Sequence, residues 1–213
     1  MYYSKINGKS FKTIQKAVLK QSTANLVESL LNELKKGNLY FFDSKIHTED
    51  KKYSDIIIAN GLENSFIPVD TVGNGDCLYG AISLNLFGAD GRGPLLRFLH
   101  VWSLIRRQKF YSSNKLKDSF IRDESARKGL KKKIIKIKSY KEFIKFAAVK
   151  STWSRTLTKS TVDVFSDLLD RRIEIFSDEG KLQIGNSKKI DNKKESIKIA
   201  SLNNHAVAIL RKS

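Results

Sequence analysis

The chain has 213 residues, 40% of them hydrophobic, with 12 Gly and only 2 Pro. This length suits one domain or one domain with an appendage, and the composition excludes a collagen-like chain, a disordered tail and a large multi-domain assembly. Lys and Arg number 40 against 22 Asp and Glu, and the resulting net charge of +18 favours acidic partners such as nucleic acid, anionic membrane surfaces or acidic proteins.

The spacing of apolar residues predicts the first elements. Apolar residues recur three and four positions apart over residues 10–36, which predicts one or two amphipathic helices that stop at Gly37. The polar residues 44–52 predict a loop, and residues 53–60 fit either a short helix or a strand. We therefore expect residues 1–65 to form an N-terminal helical extension.

The next part of the chain predicts a strand, a glycine turn and two helices. Residues 66–72 alternate weakly and predict a strand, and the Gly-Asn-Gly turn at residues 73–75 leads into a helix over residues 77–87. Gly88 ends this helix. Pro94 marks the first turn of the second helix, where its missing N–H donor is not needed.

The C-terminal half contains a basic stretch and a predicted hairpin. Residues 115–150 hold 13 basic and 4 acidic residues, and the later part of this stretch predicts a helix with a solvated lysine face. Residues 161–170 predict a helix, and residues 171–176 an alternating strand. Residues 197–202 and 206–210 alternate as well and predict a terminal β-hairpin.

Cys77 is the only cysteine and the candidate nucleophile. A thiol with an ordinary pKa of about 8.5 is only a few per cent ionised at neutral pH, so its surroundings must stabilise the thiolate. Cys77 falls in the first turn of a predicted helix, where unpaired backbone N–H groups favour an anion and can hold an oxyanion. Taken without its neighbours, a lone cysteine is more often buried and inert.

A cysteine nucleophile needs a histidine from elsewhere in the chain, and there are three. His47 lies in the charged loop, and His100 falls in an apolar helical stripe that indicates a structural role. His205 begins the last predicted strand after an Asn turn, where an imidazole can point into a cleft. His205 is therefore the predicted base.

The string GNGDCLYGAIS at residues 73–83 resembles the signature of OTU (ovarian tumour) cysteine proteases, in which Asp-Gly-Asp/Asn-Cys precedes Leu, an aromatic residue and Ala-Ile. The resemblance extends over residues 66–210 and includes the Leu-Leu-Arg helix, Trp153 and the closing hairpin. It implies an α/β (α+β) papain-like fold, a small central β-sheet flanked by helices, occupying residues 66–213.

The resemblance also implies an activity, hydrolysis of the isopeptide bond after the C-terminal glycine of ubiquitin, polyubiquitin or a ubiquitin-like modifier. Position by position, Cys77 is the nucleophile and His205 the general base that later protonates the leaving amine. Gly75 and Asp76 belong to the oxyanion loop. Asn74 is a further catalytic candidate, at a position where the family usually has Asp.

The chain departs from the family next to the histidine. Val207 stands where an Asp or Asn often orients the imidazole, and Ala206 replaces the usual aromatic residue. Asn203, Asn204 and Asp70 are the candidates for the orienting role. A Cys-His dyad is the alternative.

A second hypothesis is a binding module, an OTU-like domain of weak or no activity that holds nucleic acid, an acidic protein or an anionic surface through residues 115–150. The simpler interpretation of that stretch is a solvated face. A single cysteine rules out an internal disulfide framework and predicts a reducing, intracellular (cytoplasmic) compartment, although delivery into a host cell is compatible with the sequence. No apolar run approaches the ~20 residues that span a bilayer, so we expect no transmembrane segment, and no cofactor or metal.

Overall fold

A computed structural model describes residues 3–72, 76–111, 123–128, 131–150, 152–184, 193–203 and 205–213. For residues 123–128, 131–136, 153, 155–156 and 181–184 it describes the backbone alone. The predicted site residues Asn74, Gly75 and Asn204 therefore lie outside the described residues, as does part of the basic stretch.

The N-terminal residues fold into helices, as the apolar spacing predicts. They form α1 (Phe11–Val18), α2 (Gln21–Lys36), the 3-10 turns Tyr3–Lys5 and Lys51–Tyr53, and α3 (Ser54–Ala59). The Ser10 side chain caps α1 by accepting the Thr13 N–H. Ile14 and Val27 are buried in the same hydrophobic core as the later helices, so this segment packs into the main body. The boundary proposed between residues 65 and 66 stays a prediction.

The later helices are α4 (Cys77–Phe87), α5 (Gly93–Arg106), α6 (Gln108–Tyr111), α7 (Tyr140–Ala147) and α8 (Arg155–Leu169). The first ten residues of α4 are all buried, which makes it the central helix. Helix α8 begins earlier than its apolar pattern predicts because the Ser154 side chain accepts the Leu157 N–H and caps it. Among the described helices, none has both the length and the apolarity that a membrane crossing needs.

The central sheet has five strands in the order β1-β8-β7-β5-β6. They are β1 (Phe66–Val69), β5 (Ile173–Ser177), β6 (Gly180–Ile184), β7 (Ile197–Leu202) and β8 (His205–Arg211). Strand β8 runs antiparallel to both β1 and β7, which confirms the terminal hairpin, whereas β5 and β7 are parallel. This mixed sheet with flanking helices confirms the expected α/β class.

A second, three-stranded sheet lies in the basic region. It pairs β2 (Asp123–Lys128) with β3 (Lys131–Lys136) and β4 (Thr152–Trp153), in the order β3-β2-β4. The sequence analysis missed this hairpin because its consecutive charged residues hide the alternation that signals a strand.

The outer edge of β1 is covered by the N-terminal segment. Glu49 forms a bridge with Val69, and the Asp50 N–H donates to the Pro68 carbonyl at 2.9 Å. The Asp70 N–H in turn donates to the Thr48 carbonyl at 3.0 Å. These bonds bring residues 48–53 beside the start of β8.

Candidate active site

Cys77 and His205 begin two elements that lie against each other. Cys77 is the first residue of α4, with Asp76 as its N-cap, and it is 3% exposed. The backbone N–H groups of Ala206 and Leu78 interact with its sulfur and lower the pKa of the thiol. Because Ala206 follows His205 in β8, the sulfur lies against the strand position next to the predicted base.

The residues around Cys77 do not lower the pKa of its thiol overall. Burial raises the pKa of the Cys77 thiol above its usual value, the charge of Asp76 raises it further, and the N–H groups of Ala206 and Leu78 lower it only in part. Desolvation thus outweighs the backbone donors at the helix start, on which the expected stabilisation of the thiolate depends. To act as a nucleophile, the thiol therefore needs a proton acceptor.

His205 is the first residue of β8, and two residues, Asp70 and Tyr53, contact its imidazole and carbonyl. Its Nε2 lies 3.9 Å from Oδ1 of Asp70, the residue that follows β1. The Tyr53 hydroxyl donates a hydrogen bond of 3.2 Å to the His205 carbonyl, and the two rings meet edge to face with centroids 6.3 Å apart. Pairing of β1 with β8 and coverage of β1 by residues 48–50 explain why these three side chains converge.

Two clefts adjoin Asp70. One of about 370 Å³ is lined by His205, Tyr53, Asp70 and Asn203, among others. A second of about 480 Å³ shares Asp70 and reaches past Val72 to Asp90. Asp70, whose side chain is 58% exposed, thus lines both clefts.

Asp76 is held by a buried arginine. Arg97 is 1% exposed, and its Nε donates to Asp76 Oδ1 at 2.8 Å, with a second bond from Nη2. The same guanidinium donates to the Ala147 carbonyl at 2.9 Å and to Thr152 Oγ at 3.2 Å, and it lies 4.4 Å from the Tyr79 ring centroid. The Asp76 carboxylate therefore binds Arg97 instead of capping α4, and it fixes the backbone immediately before Cys77.

The other two histidines are enclosed by structural contacts. His47, predicted to lie in a charged loop, is buried, with Nδ1 accepting the Asp43 N–H at 3.0 Å and Nε2 2.9 Å from the Gly88 carbonyl. His100 is fully buried between Tyr79 Oη at 2.7 Å and Ser160 Oγ at 2.9 Å. Burial, with the charge of Arg97, lowers the pKa of His100 to about 3.

The candidates for orienting His205 differ in where they lie relative to its imidazole. Asp70 approaches Nε2, whereas Asn203 sits at the hairpin turn with a left-handed φ of 51° and lines the same cleft. Val207, two residues after the histidine, is fully buried in a cluster with Tyr53. An acidic residue at position 207 would be a buried charge, so this position cannot hold an orienting carboxylate without a large cost in stability. The sequence does not reveal the role of Tyr53, because no spacing rule marks a tyrosine at the end of a short 3-10 turn.

Two solved structures similar to this chain are the viral OTU domain proteases from Dera Ghazi Khan virus and Farallon virus. The first is 10% identical with a TM-score of 0.48 and covers 84% of this chain and 98% of that chain. The second is 11% identical with a TM-score of 0.47 and covers 70% of this chain and 86% of that chain.

Sequence comparison places the family signal over the middle of the chain. No curated protein sequence matches significantly. Residues 68–165 match a family model described as Vertnin, OTU domain. This part of the chain is therefore similar to an OTU domain.

Proposed function

We propose that this protein is a cysteine-type deubiquitinase. It hydrolyses the isopeptide bond after the C-terminal glycine of ubiquitin, polyubiquitin or a ubiquitin-like modifier through an acyl-enzyme on Cys77. The observation that carries the proposal is the convergence of the Cys77 sulfur with the His205–Ala206 peptide, beside two open clefts. A thiol nucleophile must stay reduced, so we place its action in a reducing, intracellular compartment.

His205 supplies the proton acceptor that the buried thiol needs. With Nε2 directed at Asp70, Nδ1 is left for Cys77. The imidazole takes the thiol proton, and the thiolate attacks the carbonyl carbon of the terminal glycine to form a C–S bond. The tetrahedral intermediate expels the lysine amine, which takes the proton from His205. Water, deprotonated by the same imidazole, then cleaves the thioester and restores the thiol.

Asp70 is our choice for the orienting role. A carboxylate facing Nε2 holds the tautomer in which Nδ1 accepts a proton, and it stabilises the imidazolium that follows. Asn203 and Asn204 are the weaker candidates. For the oxyanion we propose the Cys77 N–H with the backbone of Gly75, supported by Asp76 through Arg97, and we retain Asn74 as a side-chain donor in that loop.

The decisive experiment uses ubiquitin with a C-terminal electrophile. We expect a covalent adduct with wild type, no adduct with Cys77→Ala, and much slower labelling with His205→Ala. Lys36→Ala, at an exposed site on α2, is the control that should label like wild type. Folded wild-type protein that reacts neither with this probe nor with probes built on ubiquitin-like modifiers would overturn the proposal.

A second candidate function, binding of nucleic acid, is favoured by lysines on two packed helices. Lys12 and Lys16 on α1, and Lys141 and Lys145 on α7, are all exposed. Each pair is four residues apart and so lies on one helix face. The helices adjoin, since Lys141 Nζ is 5.7 Å from the ring centroid of Phe11 in α1. Phosphate groups are the partner that such a lysine surface fits.

A charge-reversal pair tests this candidate. Lys12→Glu/Lys145→Glu should weaken binding of a duplex oligonucleotide at least about tenfold and flatten its salt dependence. Lys36→Glu/Lys159→Glu changes the net charge equally on another pair of exposed helix positions, on α2 and α8, and should change binding much less. If both double variants weaken oligonucleotide binding equally, the binding depends only on net charge, and this candidate function is excluded.

A further inference from the structure

We propose that Tyr53 is a positioning residue of the active site, acting on Cys77 through the His205–Ala206 peptide unit. The inference rests on the proposed function for its catalytic consequence. Tyr53 lies outside residues 68–165, the part that matches the OTU family model. The N-terminal segment thereby becomes part of the catalytic apparatus.

The geometry centres on one peptide unit. The Tyr53 hydroxyl donates to the His205 carbonyl at 3.2 Å, and the N–H of the same peptide, which belongs to Ala206, donates to the Cys77 sulfur. A trans peptide is planar, with its C=O and N–H on opposite sides. The unit is therefore held between Tyr53 and Cys77, and a donor on its oxygen makes its N–H a better donor to the sulfur.

Tyr53 is itself well fixed. It is 3% exposed, and its ring packs with Ile56 and Val207 in a separate hydrophobic cluster. Its N–H donates to the Asp50 carbonyl at 3.1 Å, and the Asp50 N–H donates to Pro68 in β1. Burial, aided by the charges of Asp50, Cys77 and Asp70, raises the pKa of Tyr53, so its hydroxyl keeps its proton and stays a donor at neutral pH.

The contact has two consequences for the chemistry. It fixes the backbone of His205 at the point where β8 begins, and the edge-to-face ring contact restricts the imidazole. It also favours the thiolate, because the Ala206 N–H binds an anionic sulfur more strongly than a neutral one. Loss of the hydroxyl should therefore affect the proton transfer step more than the binding of substrate.

Tyr53→Phe removes the hydroxyl alone, and Tyr140→Phe is its matched control. Tyr140 is also partly buried, and its hydroxyl donates to a backbone carbonyl, that of Leu104, at 2.8 Å, on a different element. Two readouts are compared. One is kcat and KM for cleavage of a ubiquitin chain, and the other is the pH midpoint of Cys77 alkylation by iodoacetamide.

We expect Tyr53→Phe to lower kcat about tenfold with little change in KM, and to move the alkylation midpoint to higher pH. Tyr140→Phe should change neither, although both variants lose a similar hydrogen bond. Equal kcat values and equal midpoints for the two variants would overturn the inference and leave Tyr53 a packing residue. Because alkylation needs no ubiquitin, a shifted midpoint in a protein that acts on neither ubiquitin nor ubiquitin-like modifiers would refute the proposed function and sustain the inference.

Discussion

Asp70 and His205 face each other where strands β1 and β8 meet, with Oδ1 of the aspartate 3.9 Å from Nε2 of the histidine. The distance is longer than a hydrogen bond, so the two groups are an ion pair only when the imidazole is charged. That is the state in which the proposed mechanism needs the carboxylate. We therefore expect the pair to shorten when the imidazole receives a proton.

This relationship predicts a loss of turnover when the carboxylate is removed. Asp70→Ala should lower kcat at least about tenfold, since the imidazolium loses its counter-charge. Glu49→Gln removes a carboxylate from the same cleft and is the control, expected to keep kcat near wild type. Wild-type turnover by Asp70→Ala would return the orienting role to Asn203 or Asn204, or leave a dyad.

The raised thiol pKa predicts an alkaline profile for Cys77. In His205→Ala the sulfur loses its base but keeps its burial, so the alkylation rate should rise with pH through a midpoint above the ordinary value of about 8.5. The same protein unfolded in urea supplies the reference, with a midpoint near that ordinary value. A folded midpoint at or below the unfolded one would contradict the assignment of burial as the dominant influence.

The Asp76–Arg97 ion pair predicts a large stability loss when it is broken from one side. Arg97→Met leaves the Asp76 carboxylate without its buried cation and should cost about 3–5 kcal/mol of unfolding free energy. Lys35→Met breaks the more exposed pair with Asp170 and should cost under about 1 kcal/mol. Urea titration measures both.

A second variant in the same experiment separates the charge from its packing. Adding Asp76→Asn to Arg97→Met should recover part of the loss, because no uncompensated carboxylate remains. Strict additivity of the two substitutions would show that the charges do not interact.

The neutral His100 predicts a specific acid sensitivity. Its folded pKa of about 3 lies below the ordinary value of 6.5, so the unfolded chain binds the proton more tightly. The stability from the neutral ring is fully present above pH 6.5 and is lost as the pH falls toward 3, at up to about 1.4 kcal/mol per pH unit.

His100→Asn removes this titration and is the variant to compare with wild type. Urea titrations at pH 7, 6, 5 and 4 should show a flatter pH dependence for the variant. Parallel curves for the two proteins would mean that His100 is not held neutral in the fold.

Alanine at Gly88, which ends α4, should meet a steric clash that alanine at Gly61 does not. Gly88 and Gly61 have φ of 69° and 65°, so alanine strains the backbone at both by about 1–2 kcal/mol. A Cβ at Gly88 would also lie 2.5 Å from the Tyr40 ring, whereas one at Gly61 meets nothing within 4 Å. Gly88→Ala should therefore lower the melting temperature more than Gly61→Ala. When Tyr40→Ala is also present, the two glycine substitutions should lower the melting temperature equally. If Gly88→Ala still lowers it more, the Tyr40 ring is not the cause.

Periodicity predicted the elements whose patterns are strong. The start of α4 at Cys77 and the start of β8 at His205 follow from a glycine turn and from alternation, both local signals. The β2–β3 hairpin escaped prediction because lysines occupy the positions where alternation would be visible. The spacing of residues in the sequence does not predict that such strands pair, because the pairing depends on tertiary contacts.

The candidate site was predictable only in part for the same reason. A sequence motif predicted Cys77, and the predicted hairpin indicated His205. The contacts of Tyr53 and Asp70, however, depend on which segment covers the edge of β1. The net effect on the thiol pKa also depends on burial, which opposes the helix N-terminus and outweighs it. The local sequence shows the helix N-terminus, which lowers the thiol pKa, but it does not show the burial that raises it.

Strand β8 is hydrogen-bonded along both of its sides, to β1 and to β7. His205 is paired with Leu202 of β7, and from Ala208 onward β8 is paired with β1 as well, so the backbone that carries the imidazole is anchored in the sheet close to its first residue. If the proposed function holds, we expect closure around a substrate to come from the surface segments around the clefts, with the backbone of His205 staying in place. Amide hydrogen exchange in β8 should accordingly be among the slowest in the protein, whether or not the site is occupied.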